Sequence, residues 1–240
     1  MTQEMPTEEE KSRYIRRMFA GIAPRYDLLN RLLSLGIDRR WRDFTAKMAV
    51  DDPRGRYLDV CCGTGDLALA VRKRAPEASV VGSDFVMEMV ERGQAKSGKR
   101  RGNGFAPLLA DTLQLPFEDE SFDGVTVGFG IRNVANLERG IAEMARVTKP
   151  GGRVAVLEFT QPKRAFLRKL YMLYFTQALP RIGNAVSKSD MKAYSYLPAS
   201  VAAFPDAEGL AEIMRAAGLP ETRYYLRTFG IAAAHIGVKA

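Results

Sequence analysis

The chain has 240 residues and 46% hydrophobic content, which suits one large α/β domain with a full core and excludes a low-complexity or collagenous chain. Its 36 lysines and arginines against 28 acids give +8, which points to an anionic partner, either nucleic acid or a membrane surface. The two cysteines, Cys61 and Cys62, are adjacent and there is one histidine, so neither a disulfide framework nor metal-ligand spacing is present, and a reducing, cytosolic compartment is the natural reading.

The opening MTQEMPTEEEKSRYIRR is polar and lacks the apolar core of a signal peptide; residues 1–10 read as disordered. From Lys11, Tyr14, Ile15, Met18 and Phe19 fall on one helical stripe, and GIAPRYDLLNRLLSLGIDRRWRDF continues with leucines at helical spacing beside Tyr26, Trp41 and Phe44. Residues 1–50 are therefore expected to form a helical layer, either a lid over an active site or simple packing on a sheet.

Tyr57 to Cys62 is a short apolar run that predicts a buried strand. Gly63 and Gly65 break it, and Asp66-Leu67-Ala68-Leu69-Ala70-Val71 restarts as a helix. Strand, glycine turn and helix make the opening of a nucleotide-binding domain, and Gly63-x-Gly65-x-x-Ala68 also satisfies the loose dinucleotide fingerprint. Asp59 and Asp66 flank the turn and would repel a pyrophosphate, so they favour a positively charged ligand such as S-adenosylmethionine. Asp66 would equally serve in the first turn of its own helix. Asp59, inside an apolar strand, needs a partner.

Ala78 to Ser83 predicts the second strand, ending at Asp84, 19 residues beyond Gly65, the spacing of a ribose-binding carboxylate. Phe85 could pack on an adenine face. Residues 91–104 read as a helix end and a basic, solvated loop. Phe105 to Ala110 is the third strand, closed by Asp111-Thr112, and Asp123 to Phe129 is the fourth. Leu137, Ile141, Met144 and Ala145 mark a helix face, Lys149-Pro150-Gly151-Gly152 stops it, and Arg153 to Phe159 is the fifth strand. Strands alternating with helices predict a parallel, doubly wound sheet with ligands at the strands' carboxyl ends.

From Gln161 to Lys192, Lys163, Arg164, Arg168, Lys169, Arg181, Lys188 and Lys192 stand against Asp190 alone, interleaved with Phe166, Leu167, Leu170, Tyr171, Leu173, Tyr174 and Phe175. This describes an interfacial amphipathic element or a surface helix with a core face. Its longest uncharged run, Leu170 to Pro180, is about half the length a bilayer span needs. KAYSYLPASVAAFPD reads as a loop, Ala207 to Ala217 as a helix, and 222–229 and 231–239 as closing strands. His235, inside the last strand, reads as structural, which leaves a Ser-His-Asp or Cys-His mechanism without support.

YDLLNRLLSLGIDRRWR, LDVCCGTGDLA, ADTLQLPF, VGFGIRNV, RVTKPGGRVAVLEF and AYSYLPASVAAFP together resemble the quinone-biosynthesis C-methyltransferases that act on demethylmenaquinol and on the polyprenyl benzoquinol precursor of ubiquinone. The resemblance implies a class I methyltransferase, a Rossmann-like three-layer sandwich with a seven-stranded, mostly parallel sheet and an antiparallel last strand. It implies a single domain over 1–240, with 1–50 as a lid and 161–205 as a substrate- or membrane-facing insertion. S-adenosylmethionine, without a metal, would contact Thr64 in the glycine loop, Asp84 at the ribose and Asp111 with Thr112 at the adenine, beside Asp59, Gly63, Gly65, Phe85 and Gly128. Gly128 stands where many relatives have serine, Asp38 where they often have histidine, and Ala199 where an acid is commoner.

For catalysis, Arg132 is expected to stabilise an aryloxide or organise a relay water, and Asn133 to orient the hydroxyl, with Tyr26 and Tyr194 as lid or ring-stacking residues. The expected partners are a prenylated quinol and an anionic membrane surface at the inner face of the cell membrane, with no nucleic acid; a homodimer is left open. The competing readings are an RNA methyltransferase, which the basic charge suits but which lacks an Asn-Pro-Pro-Tyr type motif, an NAD-dependent oxidoreductase, and a non-catalytic binding module. Naphthoquinol against benzoquinol stays open, with the former favoured.

Overall fold

The computed structural model describes residues 7–99, 104–162 and 193–240 with the single positions Phe166, Lys169 and Leu173; side chains at 32, 33 and 193–195 are not described. The expected amphipathic element over Gln161 to Lys192 lies almost wholly outside these residues.

The chain runs α1 (Glu8–Ile22), α2 (Tyr26–Leu33), α3 (Asp38–Ala49), β1 (Arg56–Val60), α4 (Asp66–Arg74), β2 (Ser79–Asp84), α5 (Met87–Gly98), β3 (Ala106–Leu109), β4 (Phe122–Gly128), α6 (Leu137–Val147), β5 (Thr148–Phe159), α7 (Ala193–Ala203), α8 (Ala207–Ala216), β6 (Arg223–Arg227) and β7 (Ala232–Val238). The strands form one seven-stranded sheet in the order β3-β2-β1-β4-β5-β7-β6. β1 to β5 pair in parallel, whereas β7 runs antiparallel to both β5 and β6. The strand order reverses between β1 and β4, which puts the ligand crevice outside their carboxyl ends.

The central strands are apolar on both faces because helices cover both. Leu58, Val60, Val125, Val127, Val154 and Val156 pack with Ile141 and Met144 of α6 and Leu210 and Met214 of α8. At the mouth of the crevice, Ile15, Met18 and Ile22 of α1 pack with Leu29 and with Val201, Tyr196 and Leu197 of α7.

Two expectations change. Residues 8–10 are helical, since Thr7 and Glu10 form a reciprocal capping box that starts α1 where a disordered end was expected. The stretch read as a loop from Lys192 contains α7, although Pro198 lies inside it; burying Tyr196, Leu197 and Val201 against α1 outweighs the missing amide. The helix end expected within 91–104 falls at Gly98, where α5 stops. At the glycine turn Gly65 has φ +84 and a Cβ there would overlap the Phe105 ring, so the position requires glycine.

Candidate active site

A cavity opens at the switch point, roofed by α1. The ends of four strands supply its wall: Cys61 and Gly63 after β1, Asp84 and Phe85 at β2, Asp111 and Thr112 after β3, and Phe129, Gly130 and Asn133 after β4. Ile15, Phe19 and Tyr26 come from the N-terminal helices.

Asp84 ends β2 facing the glycine turn. Its Oδ2 accepts from the Gly63 amide at 2.8 Å and its Oδ1 from the Val86 amide at 3.0 Å. Burial nevertheless pushes its carboxyl up to about 6, the backbone donors only partly opposing it. Asp111 accepts from the Leu113 amide at 2.9 Å, and the Thr112 hydroxyl meets Cys61 Sγ at 3.2 Å. The Arg16 guanidinium lies 5.5 Å from the Phe85 ring centroid. Two carboxylates, backbone amides and apolar surface from Phe19, Phe85 and Met89 suit a ligand with hydroxyls and an amine on a flat aromatic base, and the bare Gly63, where a Cβ would come within 3.4 Å of the Tyr26 ring, leaves it room. The residues present fit S-adenosylmethionine.

The acids flanking the turn play a different part. Asp59 is 1% exposed; its Oδ2 accepts from the Ala68 amide at 3.0 Å and its Oδ1 from the Thr126 hydroxyl at 2.7 Å. Burial pushes its carboxyl up to about 7, and its work is to cap α4 from within the sheet. Asp66 turns away from the cavity to the outer face of α4. There Lys96 of α5 reaches it together with Asp27, at 2.9 Å, and the Thr64 hydroxyl, at 3.1 Å. This network ties α2, α4 and α5 together around the glycine turn. Neither Asp59 nor Asp66 lines the cavity, and the carboxylates that do are Asp84 and Asp111. Thr64, Gly65 and Gly128 also lie outside the cavity wall, and a Cβ at Gly128 would sit 3.0 Å from Arg42 Nη1.

On the β4–β5 side, a 3-10 turn, Ile131–Asn133, follows β4. Asn133 lines the cavity and its Oδ1 is buried without a hydrogen-bond partner. Arg132 is not part of the cavity wall: Nη1 donates to the Phe129 carbonyl at 2.6 Å and to Glu158 Oε1 at 2.7 Å, in an ion pair whose side chains are 7% and 1% exposed. The Phe129, Phe159 and Trp41 rings and the partly buried Tyr196 surround this region. Tyr26 lines the cavity, and burial raises its phenol. Tyr194 lies in α7, and its side chain is among those not described.

Glu158 was missed at the sequence level, although its signal matches that of Asp59: a lone acid ending an apolar strand, after Val154, Ala155, Val156 and Leu157. Burial raises its carboxyl, Arg132 only partly opposing this. His235 is 1% exposed, its Nε2 is 2.8 Å from the Ala207 carbonyl, and burial lowers its pKa, which agrees with a structural role. Among the described residues no group of three or more His, Cys, Asp or Glu is placed to hold a metal ion, and no helix is long and apolar enough to cross a membrane.

Among solved structures, a SAM-dependent methyltransferase from Thermotoga maritima, described as a possible histamine N-methyltransferase, superposes with a TM-score of 0.66 at 20% identity, covering 94% of this chain and all of that one. The [4+2]-cyclase SpnF superposes at 0.65 with 22% identity, over 91% of this chain and 75% of its own. These likenesses establish the class I methyltransferase fold and leave the reaction open. Sequence relatives are more specific. The demethylmenaquinone methyltransferase of Deinococcus radiodurans is 48% identical over 97% of this chain and 95% of its own length. That of Thermus thermophilus is 49% identical over 92% and 99%, and the ubiquinone/menaquinone biosynthesis C-methyltransferase UbiE of Geobacter sp. strain M21 is 47% identical over 96% and 98%. With residues 7–239 matching its profile, the chain belongs to the ubiE/COQ5 methyltransferase family.

Proposed function

We propose that this protein is an S-adenosylmethionine-dependent C-methyltransferase that methylates the ring of a reduced, prenylated quinol, with demethylmenaquinol as the first substrate and the benzoquinol precursor of ubiquinone as the second. The observation that carries this is the nearly full-length identity to relatives named for that chemistry. An RNA methyltransferase or a dinucleotide-dependent oxidoreductase finds no support among them.

Bound S-adenosylmethionine supplies an electrophilic methyl on a sulfonium. The chain supplies the rest. Asp84 and Asp111 are acceptors for the cofactor's hydroxyls and amine, with Phe85 beside the base, and fixing the methyl against the ring carbon can contribute roughly 7–11 kcal/mol of the barrier. Asn133, in the wall beside Phe129 and Gly130, orients a ring hydroxyl through its unpartnered Oδ1. Arg132 places a permanent cation one residue behind that wall, where it lowers the energy of negative charge developing on the ring oxygen. The aromatic cluster of Trp41, Phe129 and Phe159 gives the ring an apolar surface. Tyr26 closes the cavity from the helical layer, which acts as a lid.

The prenyl tail needs an apolar route from the bilayer. The exposed Tyr14 on α1, and the exposed Phe166 and Leu173 of the basic, aromatic stretch from Gln161 to Lys192, support peripheral docking on the inner face of the cell membrane. Sedimentation with anionic vesicles tests the docking, and no binding would remove it. The activity is tested by incubating the protein with demethylmenaquinol and S-adenosylmethionine: menaquinol is the expected product, and its absence with the cofactor bound would overturn the substrate.

A further inference from the structure

The ion pair behind the cavity is left open. A guanidinium and a carboxylate ordinarily close as a two-pronged fork, each oxygen taking its own N–H. Here Glu158 Oε1 takes both Arg132 Nη1 at 2.7 Å and the Phe159 amide at 2.9 Å and the Arg132 amide also faces the carboxylate, while Glu158 Oε2 and Arg132 Nε are buried with no well-formed hydrogen bond. Asn133 Oδ1, on the next residue of the same turn, is also without one. One buried pair thus keeps one spare acceptor and one spare donor. A single hydroxyl group can satisfy both, since its O–H donates to a carboxylate while its oxygen accepts from a guanidinium. Neither Arg132 nor Glu158 lines the cavity, but both lie just behind its wall: Glu158 is at the carboxyl end of β5, Arg132 in the turn after β4, and Phe129, whose carbonyl Arg132 holds, is in the wall itself.

Resting on the quinol reading above, we infer that Glu158 is the proton acceptor for the ring hydroxyl, with Arg132 stabilising the resulting aryloxide. The carboxylate takes the hydroxyl proton and the O–H electron pair stays on oxygen, which makes the adjacent ring carbon nucleophilic. That carbon bonds the methyl as the methyl–sulfur bond breaks with its pair to sulfur. The ring carbon's hydrogen then leaves to solvent as a proton, the aromatic ring is restored, and Glu158 returns its proton to the oxygen. The net products are methylated quinol, S-adenosylhomocysteine and one proton. Glu158 must be ionised to act, so turnover rises with pH through its titration, and burial places that rise above the ordinary carboxylate range. The charged and titratable groups facing it are Arg132 from the turn after β4 and Tyr196 from α7, the latter raised by its own burial. Asp84, at about 6, acts on cofactor binding and drops out of kcat at saturating cofactor.

The test compares Glu158→Gln and Glu158→Asp in the full-length protein. Calorimetric titration with S-adenosylhomocysteine should give the wild-type affinity for both, which shows that the site is folded. For Glu158→Gln, kcat with demethylmenaquinol falls on the order of 100-fold or more near neutral pH. The acid limb of its profile disappears, and activity recovers towards pH about 10, where a phenol ionises unaided. Glu158→Asp keeps the acid limb with lower kcat. A second readout is free of turnover: with S-adenosylhomocysteine bound, a prenylated 1-naphthol, followed by its own fluorescence, binds the wild type more tightly as pH rises through the same limb, and binds Glu158→Gln without that dependence. A Glu158→Gln profile lowered equally at every pH, or one that keeps the acid limb, overturns the assignment of Glu158 while wild-type methylation of the quinol leaves the substrate reading intact. A wild type that binds S-adenosylhomocysteine yet methylates no quinol overturns both. Should Glu158→Gln fail to bind S-adenosylhomocysteine, the acid limb and naphthol dependence of Glu158→Asp decide: both present support the acceptor, either missing refutes it.

Discussion

The two halves of the crevice are finished to different degrees. On the β1–β2–β3 side the polar groups are matched apart from Ser83 Oγ: both oxygens of Asp84 and of Asp59 have donors, Asp111 caps its own turn, and Lys96 joins Asp27, Thr64 and Asp66. On the β4–β5 side Arg132 Nε, Asn133 Oδ1 and Glu158 Oε2 are buried and unmatched. Each such atom costs about 1–3 kcal/mol. A preformed cradle needs little from its ligand to hold its shape. An acceptor site with spare hydrogen bonds inside a low-dielectric shell gains most when the group that completes it arrives, which suits a part built to stabilise charge appearing during reaction.

Breaking the open pair should give the largest effect. Arg132→Ala strands a buried carboxylate and should cost about 3–5 kcal/mol in urea unfolding, whereas replacing both members with leucine should recover most of that loss while abolishing turnover. A single-variant loss below about 1 kcal/mol would mean that water reaches the pair and the two halves are alike. The activity of Arg132→Ala must therefore be read beside its stability.

Next comes the cradle. Asp84→Asn keeps one acceptor of two and should weaken S-adenosylhomocysteine binding by about 10–100-fold in calorimetry, a loss of roughly 1.4–2.8 kcal/mol. Unchanged binding would remove Asp84 from the ribose.

Asp59 gives a pH test of the same half. Its folded pKa, about 7, lies above that of an unfolded aspartate, so its contribution to stability is fully present below the unfolded value and is lost as pH rises through 7. Thermal melts from pH 4 to 8 should therefore show Asp59→Asn gaining on the wild type as pH increases. A constant difference would place the carboxylate in contact with water.

Much of this was legible beforehand. Two glycines, a carboxylate 19 residues past Gly65 and alternating apolar runs located the sheet and Asp84, because backbone geometry and burial leave direct marks in sequence. The direction of a carboxylate leaves none. Asp59 and Asp66 looked alike as acids beside a turn, yet one caps α4 internally and the other faces Lys96 outside, a difference fixed by partners from β4 and α5. Pro198 concealed α7 because the burial that holds it comes from α1. Arg132 was expected beside the substrate, but its partner Glu158 becomes visible only when β4 and β5 pair, with Gly128 opposite Leu157.

The smallest effect belongs to Asp66. Asp66→Asn should leave S-adenosylhomocysteine affinity within about twofold and lower stability by no more than about 1 kcal/mol, since Lys96 keeps Asp27 and Thr64. A large loss of affinity would return Asp66 to the cofactor.

The most direct measurement of the proposed activity uses S-adenosylmethionine carrying a deuterated methyl group, with demethylmenaquinol under reducing conditions, and mass spectrometry of the extracted quinone. The deuterated methyl should appear on a ring carbon and survive reoxidation to the quinone. Label on oxygen, label in RNA, or none in the quinone while S-adenosylhomocysteine binds normally would contradict it.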